Sequence, residues 1–350
     1  MVMKEIHIIE PLLEKIRALL LTEPFEKHRL QKALSLYGAE EDFKSLSKVP
    51  EKARDNKKTL ILVDFTPIMS LGTKTRLNEL IKIYQAHHFI AVAKEGTVLY
   101  NLKSLGKIPV AICEEDYTIS DLLLPPGETE TPLVSDCKSL KGKNFLTLHS
   151  EWVNKTLSAI IPKTIREPPE GRRYVRLSDD TWANVWIDVK SILTNPETSF
   201  FIAYQMGYLL TEGYSRSIGE EGFIVGNNIA YILATFLQQI FDDKKIIIID
   251  HVGPYPSLSK TKLLGLDEKL GEGKFIMVED VISTGRELDL LYLLVFLSRG
   301  EIERAVCFLN LEVASPVVFD PKRVFTLCYP TLIIKNYKRL SKYEAKRIEK

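Results

Sequence analysis

The chain has 350 residues, 45% hydrophobic and 27% charged, an ordinary balance for a packed globular protein and too apolar for a disordered one. Forty-seven Lys and Arg against 46 Asp and Glu leave a formal charge of +1, so no global field invites nucleic acid or an anionic membrane. No apolar run nears the roughly 18 residues that cross a bilayer, and the charged first residues lack a leader's apolar core, so a cytoplasmic protein is expected. Cys113, Cys137, Cys307 and Cys328 are scattered without C-x-x-C spacing, which points to neither a metal site nor a disulfide framework.

The length suits two domains, and the pattern divides accordingly. Residues 4–48 read as helical, with Ile6, Ile9, Leu12, Leu13, Ile16, Leu19 and Leu20 at three-to-four spacing. Thr59–Asp64, Phe89–Ala93, Val98–Tyr100 and Val110–Cys113 are short apolar runs of strand length, and Leu77 to Tyr84 supplies a helical stripe between two of them. Strands alternating with helices predict a parallel sheet covered by helices. The turn-rich stretch Leu124–Pro132 closes this region, so a first α/β domain is expected over 1–147 and a second over 148–350.

The second region opens with a helix over Glu151–Ile161, then strands Tyr174–Leu177 and Asn184–Val189 around Asp179 and Asp180. A helix over Phe200–Leu210, a strand Gly222–Val225, a helix Ile229–Phe241 and a strand Lys245–Asp250 follow. A loop from His251 to Gly273 leads to the strand Phe275–Val278, the helix Glu287–Ser298 and the strand Ala305–Leu309, a βαβ unit with Gly300 as the helix stop. The tail Lys335–Lys350 holds seven basic and two acidic residues and reads as a solvated terminal helix.

The sharpest feature is Phe275-Ile-Met-Val-Glu279-Asp280-Val-Ile-Ser283-Thr284-Gly285-Arg286-Glu287. An apolar strand ends in two carboxylates, and a short Ser/Thr/Gly turn opens a helix. At the carboxyl end of a parallel strand such side chains face the ligand crevice of an α/β sheet. N–H groups from Ser283 to Glu287 would meet a phosphate at the helix N-terminus. The hydroxyls of Ser283 and Thr284 add donors, Gly285 allows close approach, and Glu279 and Asp280 can accept from a vicinal diol. At least one of the two carboxylates should face the crevice.

This string resembles the phosphoribosyl-pyrophosphate signature of the type I phosphoribosyltransferases. Leu270-Gly-Glu-Gly-Lys274, Asn184-Val-Trp-Ile-Asp188-Val-Lys190, Gly222-Phe-Ile-Val-Gly226-Asn227 and Cys307-Phe-Leu-Asn-Leu-Glu312 look like segments of the orotate branch, over residues 150–335 and nothing before. The resemblance implies a parallel sheet with flanking helices and a small hood. It implies Mg²⁺-dependent transfer of ribosyl 5-phosphate from phosphoribosyl pyrophosphate to a nucleobase, with the metal held chiefly by substrate oxygens, in a homodimer. In that frame Glu279 and Asp280 hold the ribose hydroxyls. Ser283, Thr284, Gly285, Arg286 and Glu287 bind the 5-phosphate, Gly226 and Asn227 form the pyrophosphate loop, and Lys260 and Lys262 close over the pyrophosphate.

The chain also departs from the family pattern. Its loop begins Asp250-His251 instead of a basic pair, Asp179 and Asp180 stand where an anionic base would be received, and Glu287 replaces a small or hydroxyl residue. An anionic base such as orotate is therefore disfavoured. The alternative function is a non-catalytic sensor of phosphoribosyl pyrophosphate or nucleotide. Among other candidates, Asp64 reads as a strand-end turn residue and His87-His88 as opposite-facing neighbours without a third ligand. Trp182 and Trp186, four apart, are read on one face of the hood as packing.

Overall fold

The computed structural model describes residues 5–9, 59–64, 89–94, 109–124, 138–178, 181–212, 221–241, 244–249, 270, 272–311, 316–334, 337–341 and 344. The chain falls into two compact units, one ending at Thr156 and the other resuming at Leu157.

The first unit is a five-stranded sheet, β1 (Glu5–Ile9), β2 (Thr59–Asp64), β3 (Phe89–Lys94), β4 (Val110–Cys113) and β5 (Ile119–Leu123), in that spatial order. The first four strands run parallel and β5 turns back antiparallel on β4. Leu62, Ile90, Val92, Ala111 and Cys113 form its core with Phe145, from the start of helix α1 (Phe145–Ile160). The strand β1 corrects the helical expectation for residues 4–48. Three isoleucines in Glu5–Ile9 favour an extended chain, and parallel pairing to β2 overrides a helical spacing that the same apolar residues also satisfy. The rest of 10–48, Val98–Tyr100 and His87–His88 lie outside the described residues.

The second unit is built on a parallel sheet of order β11-β10-β12-β13-β14: β10 (Gly222–Val225), β11 (Ile246–Ile248), β12 (Lys274–Ile282), β13 (Glu301–Asn310) and β14 (Val324–Cys328). Helices α3 (Pro196–Glu212) and α4 (Asn228–Ile240) pack together through Phe200 and Phe236, whose rings meet edge to face at 5.8 Å. They cover the face that carries Phe223, whose ring lies 6.3 Å from that of Phe241 at the end of α4. Helix α5 (Arg286–Leu297) covers the opposite face, packing Leu288, Leu291, Leu294 and Val295 on Ile224, Met277, Ala305 and Cys307. This is the α/β architecture with helices on both faces that the phosphoribosyltransferase resemblance implies.

Two short sheets complete the unit. Strand β6 (Ile165–Arg166) pairs with β9 (Trp186–Ile187), and β7 (Val175–Ser178), β8 (Thr181–Ala183) and β15 (Arg339–Ser341) form a three-stranded antiparallel sheet. These correct three expectations. Asn184–Val189 is not one strand: Asp188 leaves it to cap helix α2 (Val189–Leu193), accepting from the N–H and hydroxyl of Ser191. Trp182 and Trp186 therefore stand in different sheets. The basic tail is not purely helical either, since Arg339–Ser341 adds a strand beside β8, with Leu340 opposite Trp182.

Candidate functional site: a crevice at the strand-order reversal

From β10 the chain crosses through α4 to β11 on one side, whereas from β12 it crosses through α5 to β13 on the other. The order of strands thus reverses between β10 and β12, and in open α/β sheets ligands bind outside the carboxyl ends of the strands at such a point. The local pairing opens a cleft there. Residues 275–277 of β12 pair with β10, whereas Val278 to Ile282 pair with β13 alone.

Glu279 and Asp280 lie in this stretch, which has no partner on the β10 side, within the strand and not after it, which corrects the boundary expected at Val278. Continued pairing to β13, with Glu279 beside Cys307 and Ile282 beside Asn310, keeps the backbone extended. Adjacent strand residues point to opposite faces. Asp280 turns to the α4 side, where Asn227 Nδ2 donates to its Oδ1 at 3.0 Å. The other end of the Asn227 amide caps α4, its Oδ1 accepting from the N–H of Ala230 at 2.8 Å. Glu279 turns to the α5 side, is only 1% exposed, and neither of its carboxylate oxygens has a hydrogen-bond partner.

The third carboxyl is Glu287, in the first turn of α5. It reaches across to the first loop, where a Cβ built on Gly226 would stand 2.6 Å from its Oε1. Glycine at 226 makes this approach possible. Burial, aided by the field of Asp280, pushes the Glu287 carboxyl up to about 8. Burial drives Glu279 well above the usual carboxylate range, with the charges of Glu287 and Asp280 adding to it. Asp280 is raised less freely, because the Asn227 bond and backbone donors oppose its burial. An unpaired buried charge is costly, so burial favours the protonated form of Glu279 and Glu287, and less so that of Asp280, which the Asn227 amide supports.

The turn between β12 and α5 is fixed by sterics. Gly285 adopts φ +72°, and an added Cβ would meet the backbone N and Cα of Pro316 at 2.6 and 2.8 Å. It occupies the N-cap position and offers no side-chain cap, so the first-turn N–H groups of α5 have no side-chain acceptor there. The Ser283 hydroxyl is buried without a partner, Thr284 is half-buried, and Arg286 is exposed. Asp289, one turn on, accepts from the N–H groups of Val317, Val318 and Phe319 at 2.7–2.8 Å and so ties the loop after β13 to α5. Sequence reading missed Asp289, since nothing local links it to a segment 28 residues away.

The fold therefore brings together Gly226, Asn227, Glu279, Asp280, Ser283, Thr284, Gly285 and Glu287 at the carboxyl ends of β10 and β12. Lys260, Lys262, His251, Asp179 and Asp180 lie outside the described residues. Among the described residues no group of three His, Cys, Asp or Glu is placed to hold a metal ion, and no helix is long and apolar enough to cross a membrane.

No protein-family model matches the chain, and no curated protein does. Solved structures overlap it in part. UMP synthase from Leishmania donovani is 13% identical with a TM-score of 0.40, over 87% of this chain and 65% of that one. The chain thus spans just under two thirds of that protein's length. Orotate phosphoribosyltransferase from Mycobacterium tuberculosis H37Rv is 12% identical with a TM-score of 0.35, over 53% and 97%. A purine phosphoribosyltransferase from Pyrococcus horikoshii Ot3 is 20% identical with a TM-score of 0.27, over 36% and 82%.

Proposed function

We propose that the second unit binds phosphoribosyl pyrophosphate or a nucleotide in the crevice between β10 and β12, and acts as a phosphoribosyltransferase. The observation that carries this is Glu279: a carboxylate removed from water inside the strand-end cleft, with both oxygens unpartnered, beside a helix N-terminus whose N–H groups have no side-chain cap. The first is a receptor for hydroxyl donors and the second for a phosphate.

The residues act by position and charge. N–H groups of Ser283 to Glu287 and the Ser283 hydroxyl hold the 5-phosphate, Arg286 adds a cation at the rim, and Glu279 and Asp280 receive the ribose hydroxyls. Fixing sugar and base in line lowers the barrier of a transfer whose transition state has oxocarbenium character. In that transfer the bond from C1 of the ribose to pyrophosphate breaks, and a bond to a nucleobase nitrogen forms. Mg²⁺ fits here only as an ion held chiefly by substrate oxygens, where it would neutralise the diphosphate.

A second reading, a sensor without catalysis, is favoured by Glu287, which brings a carboxyl to the loop at Gly226. Pyrophosphate release, followed with phosphoribosyl pyrophosphate, Mg²⁺ and a panel of purine and pyrimidine bases, separates the two. Turnover with a base establishes the transferase; saturable binding without turnover on any base establishes the sensor.

A further inference from the structure

Two helices open at the crevice, α4 after Gly226 and Asn227, and α5 after Gly285. Each is at least 12 residues long and opens at the cleft, α5 without a side-chain cap and α4 capped by Asn227, and the helix dipole at both N-termini favours anions, so the fold offers two seats. The seat of α5 is lined by the unpartnered Ser283 hydroxyl and bordered by Arg286, with the fully buried, unpartnered Glu279 beside it. The approach to the seat of α4 is different. Glu287 lies against Gly226, with Leu291 Cδ1 3.3 Å from the same Cβ position, so side-chain atoms fill the space above this loop. Asn227 is also committed, its two amide ends spent on Ala230 and Asp280.

We infer that Glu287 is a specificity-determining residue that closes the second seat, so that the crevice takes a sugar carrying a single 5-phosphate in preference to one carrying a 1-diphosphate as well. The inference rests on the phosphoribosyl reading of the crevice and, within it, favours the nucleotide-binding sensor over the transferase. A diphosphate brought to Gly226 meets a carboxyl that already occupies the position, and Asp280 stands behind it. Both protonation states of Glu287 fill the same volume, so the exclusion is steric first.

Ribose 5-phosphate and phosphoribosyl pyrophosphate share the sugar and the 5-phosphate and differ in the diphosphate alone, which makes them the probes. Calorimetric titration of the full chain with each, in excess Mg²⁺, should give ribose 5-phosphate at least tenfold tighter binding. In Glu287→Ser, which clears the space over Gly226, the diphosphate ligand should tighten at least tenfold while ribose 5-phosphate changes little. Glu287→Gln, which keeps the volume, should discriminate as the wild type does; the two variants' melting curves check that both are folded. Equal binding of the two ligands to the wild type, or an unchanged ratio in Glu287→Ser, overturns the inference and leaves the phosphoribosyl reading intact. Failure of both ligands to bind all three proteins removes the phosphoribosyl reading, and this inference with it.

Discussion

Glu287 and Glu279 hold protons that the unfolded chain would release, and the sign of the resulting pH dependence follows. A carboxyl raised from 4.5 to about 8 binds more protons folded than unfolded across that interval. Its contribution to stability is complete below pH 4.5 and is lost as pH rises through 8. The melting temperature of the second unit should therefore fall between pH 5 and 8.5, and Glu287→Gln should flatten that slope; a wild-type melt flat over this range would show that the carboxyls are not buried together. Gly285 is subject to a different constraint. Gly285→Ala must hold φ +72° and push a methyl into the Pro316 backbone, at a cost of about 2–4 kcal/mol. Chemical denaturation measures it, and a loss under about 0.5 kcal/mol would mean that the turn relaxes freely. The residues of this site were legible in the sequence because a strand, two acids and a Ser-Thr-Gly turn lie within 13 positions. Glu287 was legible as a residue but not in its direction: that it reaches Gly226, 61 positions earlier, depends on two strands becoming neighbours.

Among the elements, α4, α5, β10 and the core of β12 were readable because their apolar periods are strong and Asn227 and Gly285 mark helix starts. The short hood strands were not. Pairs such as Ile165–Arg166 and Trp186–Ile187 are too brief for a period, and β15 is defined by its distant partner β8. Strand β13 illustrates another feature hidden in the sequence. Its Arg304 is buried, donating to Glu221 Oε1 at 3.1 Å and to the Leu210 carbonyl at 3.2 Å, which joins the start of β10 to the end of α3. Arg304→Met leaves the Glu221 carboxylate buried without its cation, and a loss of about 3–5 kcal/mol is expected. Adding Glu221→Leu should restore a large part of it. If the double variant is no more stable than the single one, the carboxylate's unpaired charge is not the cause.

For the whole molecule, the core residues Phe200, Phe223, Phe236 and Phe308 all come from beyond residue 157, so residues 148–350 should melt cooperatively on their own. A fragment with no cooperative transition would show that its core depends on the first 147 residues. Acid supplies a second check. Burial pushes the His149 imidazole, beside Phe145 and Trp152 in the first unit, down to about 4. Its contribution is present above pH 6.5 and is lost as pH falls toward 4; the fragment keeps His149 but not Phe145 and the sheet core around it, so the imidazole's part of the acid limb should be missing from the fragment. The central claim is that the cleft between β10 and β12 receives a phosphoribosyl group on Glu279 and Asp280, and one double variant tests it most directly. Glu279→Gln with Asp280→Asn keeps shape and removes the capacity of either group to take its charged form on receiving a ribose hydroxyl. Two charge-assisted hydrogen bonds at about 1.5–3 kcal/mol each predict a loss of roughly two to four decades in affinity for ribose 5-phosphate. The melting temperature should hold or rise, since the variant relieves two desolvated acids. Unchanged affinity together with a lower melting temperature would make the acidic pair architectural and contradict the account.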